Sequence, residues 1–472
     1  MDSVHPASDP PAAAGQTRQL AAYAADLRFE DLPRDVVDRV KMTLLDTLGV
    51  CVAALRSPDA APLLDGALEF AADGPCSVPG SGRKTAPAPA ALVWGTLSDI
   101  YELQDGWRFG GIHACLVMAA ALPVAQWRKA GGRDLITAIV AGYEVAHRVA
   151  WAVHPEHMGR GHMPNGTAGT VGSAAAAARL LGADAAAFAG ALGTAAFLLP
   201  FSTAETLWAG HSAKPLHTGW AARTGIETAL LARRGFWGCP LEGSPAQGRG
   251  FLQLAANSAR PDRLTEGLGT LFTLRDTYFK FYPICRQAQS AAEAALTIAR
   301  EEAYSPADIQ AVTVHTWDLS ARMLTRTIDA SANRIAAQFS LPYIVAATLS
   351  DRAMGVAQLA PERLRDPGLH ALGQRVRVVS DPEMTRAYPE ETRSRVEVEL
   401  ADGRRLTRTV ATPKGDPRVP VTPADIEEKF AALCEGILSP TDQARLKQAV
   451  ATLDDSPTLD ALFAPLERLR LV

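Results

Sequence analysis

Between Thr17 and Leu254 apolar residues recur at helical spacing almost without a break, Ala and Leu dominating and Gly, Pro or Asp punctuating at intervals of roughly ten to twenty residues. The pattern predicts a large all-helical domain. Asp134, just ahead of Leu135, Ile136, Ile139 and Val140, is placed as an N-cap followed by an apolar face. Gly166 to Gly193, with its run TAGTVGSAAAAARLLG, is rich enough in small residues for helices to approach closely, and a further helix is expected from Trp220 to Arg233. After about Leu271 the period changes from helical to alternating. Strand candidates appear in IQAVTVHTW (Val312, Val314, His315), in RVRVVSD (Val376, Val378, Val379) and in SRVEVELADGRRL (Val396, Val398, Leu400), where Asp402 and Gly403 form a hairpin turn. Helical stretches at 289–302 and 335–349 lie among them, so this unit reads as α+β. From Thr422 onward the pattern is helical again. The expected organisation is a mostly α chain: a flexible tail over 1–16, an all-helical domain over 17–272, an α+β domain over 273–410, and C-terminal helices over 411–472 that return to the helical domain.

Composition narrows the function classes without choosing one. Hydrophobic residues make up 47% and charged residues 21%, ordinary for a globular chain, and a net charge of −4 supplies no field for nucleic acid. An anionic substrate would have to be held by local cations. The six cysteines are scattered without a CxxC pair, and the polar first residues carry no secretory signal, so reduced thiols and a cytoplasmic location are expected. The long apolar stretches are interrupted by Glu144, His147, Arg148, Arg179 and Asp184, which argues against membrane spans.

Four short segments collect the ionisable residues. In Glu102 to Cys115, glycines make a loop that offers a carboxylate at Asp105 and an imidazole at His113, though a helix cap and a core histidine explain them equally well. His162 lies in a turn running into a small-residue helix, whose free amides favour an anion. His154 and His157 stand three apart, but Pro155 interrupts the helix a metal face would need, and no metal is expected. Lys214 and His217 sit in GHSAKPLH, where a lysine can bind a carboxylate and a histidine can move a proton, or both can simply cap and face solvent. Lys280, Tyr282, Cys285 and Arg286 share an aromatic stretch at the seam of the two textures, where an adjacent cation could activate the thiol and where plain aromatic packing is the other explanation. No GxGxxG, GxxxxGK[ST], GxSxG or HExxH is present, which leaves acid/base chemistry by side chains.

Taken in order, RVKMTLLDTLGV, GHMPNGTAGTVGSAAAAARLLG, SAKPLHTGWAARTGIETALLARRGF, KFYPICRQAQSAAEAA and TPKGDPRVPVT resemble the MmgE/PrpD family over about residues 17 to 440. The resemblance implies the two-domain fold read above, a homodimer, no cofactor and a small di- or tricarboxylic acid as substrate. It places His113, His162, Lys214 and Lys280 on active-site positions and equates Asp105 with the last carboxylate of the family's DFDDT element. Departures from the pattern are Gln104 for a carboxylate, Gly106 for the threonine, Cys285 where some members, decarboxylases included, have histidine, and Gln289 for another frequent histidine.

Elimination of water needs a base and an acid for the departing hydroxyl, whereas epimerisation needs only removal and return of a proton, so losing acid groups harms elimination more. The expectation is therefore a cofactor-independent epimerase of an amino- or imino-dicarboxylate such as iminodisuccinate. A citrate-like dehydratase is next, a decarboxylase less favoured, and a non-catalytic binding protein is the reading from another class. In the favoured mechanism Lys214, Lys280 and Arg286, helped by His217 and Tyr282, bind carboxylates. His113 and His162 are the base pair, with Lys280, Cys285 and Asp105 as further catalytic candidates.

Overall fold

The computed structural model describes residues 15–471 apart from Phe70, Gly110, Ala114 and 245–247, so most of the expected N-terminal tail lies outside the described residues. The helical region is a layered bundle whose central elements are α1 (Arg34–Ala54), α2 (Pro87–Asp99), α3 (Cys115–Arg128), α4 (Gly132–Val153), α5 (Ala168–Leu180), α6 (Ala185–Phe197) and α7 (Leu216–Ala232). Small residues set the crossings. A Cβ on Gly95 of α2 would lie 2.7 Å from the Gly219 Cα of α7, and one on Gly172 of α5 would lie 2.7 Å from the Gly142 carbonyl of α4. Such approaches are closer than any side chain allows, so a methyl group at either crossing would spread two core helices. The α2/α7 crossing brings the end of α2, with Asp99, against His217 in the first turn of α7 and Lys214 in the turn just before it.

Helix α7 starts at Leu216, ahead of the expected Trp220, and two further helix boundaries differ from the sequence expectation. Helix α4 starts at Gly132 with Gly131 as its cap residue, and Asp134, expected at the cap, sits one turn in and accepts the Gly131 N–H at 3.4 Å. A side chain at 132 would collide with the Leu453 carbonyl, so glycines let the helix begin early against the C-terminal segment. The helix expected over 335–349 is two, Arg334–Gln338 and then α9 (Leu341–Asp351), after α8 (Gln289–Glu301). Ser340 separates the two by accepting the Tyr343 N–H at 3.2 Å, and Pro342 in the first turn of α9 suits a helix start but not a helix interior.

The mixed region holds a four-stranded sheet. Strands β1 (Gly106–Trp107) and β2 (Thr277–Tyr278) form a separate short ribbon; the sheet proper comprises β3 (Ile309–Thr316), β4 (Val376–Ser380), β5 (Ser394–Leu400) and β6 (Arg405–Val410), in the order β4-β3-β5-β6. Strand β3 pairs parallel to β4 and antiparallel to β5, with Val314 opposite both Val378 and Val396. The alternation buries Val312, Val314, Val396, Val398 and Leu400 under α8. The hairpin turn has three residues, 401–403, with Gly403 at φ 87°. The last helices return to the bundle: α10 (Pro423–Cys434) packs on α1, and Lys429 pairs with Asp46 at 2.6 Å. No helix among the described residues is long and apolar enough to cross a membrane.

Candidate active site

The loop after α2 brings the site together. Asp99 is the last residue of α2, the end where the helix dipole disfavours a carboxylate. Three residues on, Glu102 adopts φ 53°, a left-handed conformation that costs a non-glycine residue about 1–3 kcal/mol. The loop is held at Leu103, whose carbonyl accepts from Lys429 Nζ at 2.8 Å, and by the pairing of β1 with β2, which brings in the segment carrying Lys280. Gly106 lies against Tyr278 so closely that a Cβ there would collide with the phenol oxygen, which accounts for glycine in place of the threonine.

Two ammonium groups neutralise the two carboxylates. Lys214 Nζ donates to Asp99 Oδ1 at 2.8 Å and to Glu102 Oε1, and Lys280 Nζ donates to Glu102 Oε2 at 2.6 Å. The other Asp99 oxygen accepts from His217 Nε2 and Thr218 Oγ1, each at 2.9 Å. Burial raises both acids, but Lys214 with His217 holds Asp99 well below the usual carboxylate range, and Lys214 with Lys280 draws Glu102 down to about 2. The Asp99, Glu102 and His113 ligand atoms lie within 4.8 Å of one another, close enough for a metal. Their carboxylate oxygens are already engaged by the two lysines, His217 and Thr218, so a cation would have to displace one of these donors.

His113 completes the cluster. Its ring is neutral, lowered to about 3 by burial and by Lys280. The Asn165 amide is oriented by its oxygen, which accepts the His113 backbone N–H at 3.0 Å, so its NH2 faces His113 Nδ1 at 3.0 Å. Gln104 presents a second amide NH2 to the same nitrogen at 2.9 Å while also donating to Asp99. Nδ1 is therefore the acceptor, and the neutral ring carries its proton on Nε2, 3.3 Å from Lys280 Nζ. Two donors face each other with no acceptor between them, an arrangement that suits an anion.

The cluster opens on a cavity of about 740 Å³, its open mouth included, lined by Glu102, His113 and Cys285 with Arg108, Arg286 and Arg418. Of the residues expected at the site, His113, Lys214, His217 and Lys280 come together as one network, and Cys285 and Arg286 share their cavity. Lys214 and Lys280 stand behind Glu102 and His113, so Lys214, expected to bind substrate, instead balances Asp99 and Glu102. His162 is set apart: its ring packs 4.6 Å from Phe201 and 5.2 Å from His157, and Met163 lines the cavity instead. Asp105 turns away to accept the Tyr143 hydroxyl at 2.7 Å, and burial raises it to about 7. Tyr282 is also outside the cavity lining, its backbone carbonyl accepting from Gln289 Nε2 at 2.9 Å. The Cys285 thiol, expected to be activated beside Arg286, is pushed up to about 12 by burial and by the Glu102 charge, while Arg286 is turned to Asp416 at 2.6 Å.

Asp99, Asn165, Thr218 and Arg108 were not picked out from the sequence. Asp99 had a readable signal, a carboxylate at the wrong end of an apolar helix; the others become visible only in three dimensions.

A helical bundle with a small α+β unit holds a buried acid–base cluster that opens on a cavity lined by three guanidiniums. The chain belongs to the MmgE/PrpD family: the family's N-terminal domain matches residues 18–264 and its C-terminal domain residues 282–455. It is similar to cis-aconitate decarboxylase of Aspergillus terreus, 25% identical over 98% of each chain, and to cis-aconitate decarboxylase of Homo sapiens, 27% identical over 93% of this chain and 92% of that one. It is also similar to 2-methylcitrate dehydratase of Cupriavidus necator, 27% identical over 80% and 81% of the two chains. These relatives are lyases; none of the three is an isomerase by name.

Proposed function

We propose that this protein is a lyase that removes carbon dioxide from a small polycarboxylic acid, with an unsaturated tricarboxylate such as cis-aconitate the first substrate to test. The observation that carries this reading is the kind of group that faces the cavity. His113, the Cys285 thiol and three guanidiniums line it as donors or cations, the neutral His154 imidazole stands among them, and both oxygens of Glu102 are occupied by lysines. Among the described residues the cluster itself lacks a free base, and a deprotonation would have to call on the neutral His154 imidazole of the cavity wall. Decarboxylation needs none: the C–C bond to the leaving carboxylate breaks, its electron pair stays on carbon next to an unsaturated carboxylate, and a proton is returned. Fixed cations stabilise the delocalised charge, and His113 Nε2–H delivers the proton, replaced from Lys280 Nζ behind it. No cofactor enters the scheme.

Dehydration is the second reading, favoured by the similarity to 2-methylcitrate dehydratase. It asks Glu102 or His113 to take a proton, and so asks one of them to release its present partner. Epimerisation of iminodisuccinate, the activity the sequence favours, asks for acid/base groups on both faces of a carbon; the Cys285 thiol can give a proton from the cavity wall but is poorly suited to take one. We also propose the homodimer implied by the resemblance, to be checked by light scattering, where a mass near that of a single 50.1 kDa chain would reject it.

The deciding assay incubates the protein in deuterated water with cis-aconitate, a hydroxy tricarboxylate and one stereoisomer of iminodisuccinate. Carbon dioxide release with one deuterium in the product is expected from the first. Unsaturated acid without carbon dioxide would replace this reading with the dehydratase, exchange with inversion would replace it with the epimerase, and tight binding without turnover of any would leave a binding protein.

A further inference from the structure

Three guanidiniums line the cavity, and they are not equivalent. Arg286 Nη2 donates to Asp416 Oδ2 at 2.6 Å, and Arg418 holds the same carboxylate through Nε at 2.7 Å and Nη2 at 3.0 Å. Arg108 has no such counterpart. Its Nε and Nη1 are buried without a hydrogen-bond partner, and no carboxylate lies within ion-pair distance of it among the described residues. The guanidinium is nevertheless held in place, its Cζ 4.0 Å over the Phe109 ring. Burial and the nearby Arg418 charge both act against its cationic form. A buried N–H without an acceptor costs about the free energy of its desolvation, and a planar guanidinium offers that N–H in a fork matched to a carboxylate. Arg108 also differs in place from the cluster at Glu102 and His113: it is half-buried on the cavity wall, whereas Glu102 and His113 are buried.

We propose that Arg108 binds a carboxylate of the substrate remote from the reacting carbon, making it the residue that selects polycarboxylates. The inference rests on the lyase reading for the place of the reacting carboxylate, beside His113, but its test needs no turnover. Calorimetric titrations would compare the wild-type protein and Arg108→Met with propane-1,2,3-tricarboxylate and with its central and terminal monoamides. In the wild-type protein one monoamide should bind roughly 10- to 100-fold more weakly than the parent acid, the loss of a charge-assisted hydrogen bond. In Arg108→Met the parent should weaken by a similar factor and that monoamide no further, so that the two bind alike, while the other monoamide keeps its own penalty. Equal weakening of all three ligands, no weakening, or no binding of the tricarboxylate to the wild-type protein would overturn the proposal. Should Arg108→Met fail to fold, Arg108→Lys, which keeps the charge and loses the fork, is expected to show the same coupling at smaller amplitude. Intact coupling without carbon dioxide release would reject the decarboxylase and leave Arg108 as assigned.

Discussion

Two buried ion clusters in this protein look alike by composition and differ in purpose. In the first, on α4, Arg148 pairs with Glu144 at 3.2 Å, and both side chains are 0% exposed. Its Nη1 and Nη2 reach the carbonyls of Glu266, at 2.5 Å, and Leu271, at 3.0 Å, while Glu144 accepts from the Thr273 N–H at 2.6 Å and hydroxyl at 2.8 Å. One cation serves one carboxylate, and backbone groups take most of what remains. In the second, at Glu102, two ammonium groups serve two carboxylates, a histidine N–H is left over, and the whole opens on a cavity. Burial raises Glu144 in the first, and cations overcome burial at Glu102 in the second. Buried charge alone therefore does not mark a site; unsatisfied donors beside open space do.

The sharpest way to break this comparison is to remove one cation from each cluster. Lys280→Met should lower kcat roughly 10³-fold, the scale of a lost proton-transfer group, because Glu102 keeps Lys214 but His113 loses its proton supply. Steady-state kinetics checks it, and a loss under about tenfold would remove Lys280 from the mechanism. Arg148→Met should instead cost about 3–5 kcal/mol of stability by leaving Glu144 buried and unpaired, with kcat per folded molecule unchanged. Denaturant unfolding measures the first and active-site titration the second.

Asp105 lies in the loop that presents Glu102, yet it is predicted to act on stability. Its folded carboxyl is raised from an ordinary 3.8 to about 7. Between those values the unfolded chain has released the proton and the folded chain retains it, so stability falls as pH rises from about 4 to 7 and stays low above. Asp105→Asn should flatten this slope and raise the melting temperature more at pH 8 than at pH 4, with the Tyr143 hydroxyl still accepted by the amide oxygen. A variant with an unchanged pH profile would show that Asp105 is not the titrating group. The smallest effect is expected at His162, where His162→Ala should change kcat by under about threefold; a large loss would return it to the acid/base set.

The sequence carried the fold well, because helical period, the change to alternation after Leu271 and the Asp402–Gly403 turn are local signals. Boundaries failed where a distant contact decided them, as at Gly132 against Leu453. Of the candidate site, the motifs gave His113, Lys214 and Lys280 in three separate segments, and the structure brings the three into one network. His162 and Tyr282 show the limit: each lies in a suggestive segment, but side-chain direction within a turn is set by packing, and Met163 occupies the cavity wall beside His162. Arg108 was passed over for the converse reason. Nothing local distinguishes an arginine with a partner from one without.

The bond from Lys429 Nζ to the Leu103 carbonyl has a consequence for synthesis of the chain. Every group assigned here to proton transfer is in place by residue 280, yet the loop that presents Glu102 is anchored from α10. A nascent polypeptide still tethered to the ribosome with α10 inside the exit tunnel would hold all of these groups without that anchor. Activity should therefore emerge late in translation, and a stop codon ahead of residue 423 should silence the protein while leaving every one of these groups encoded.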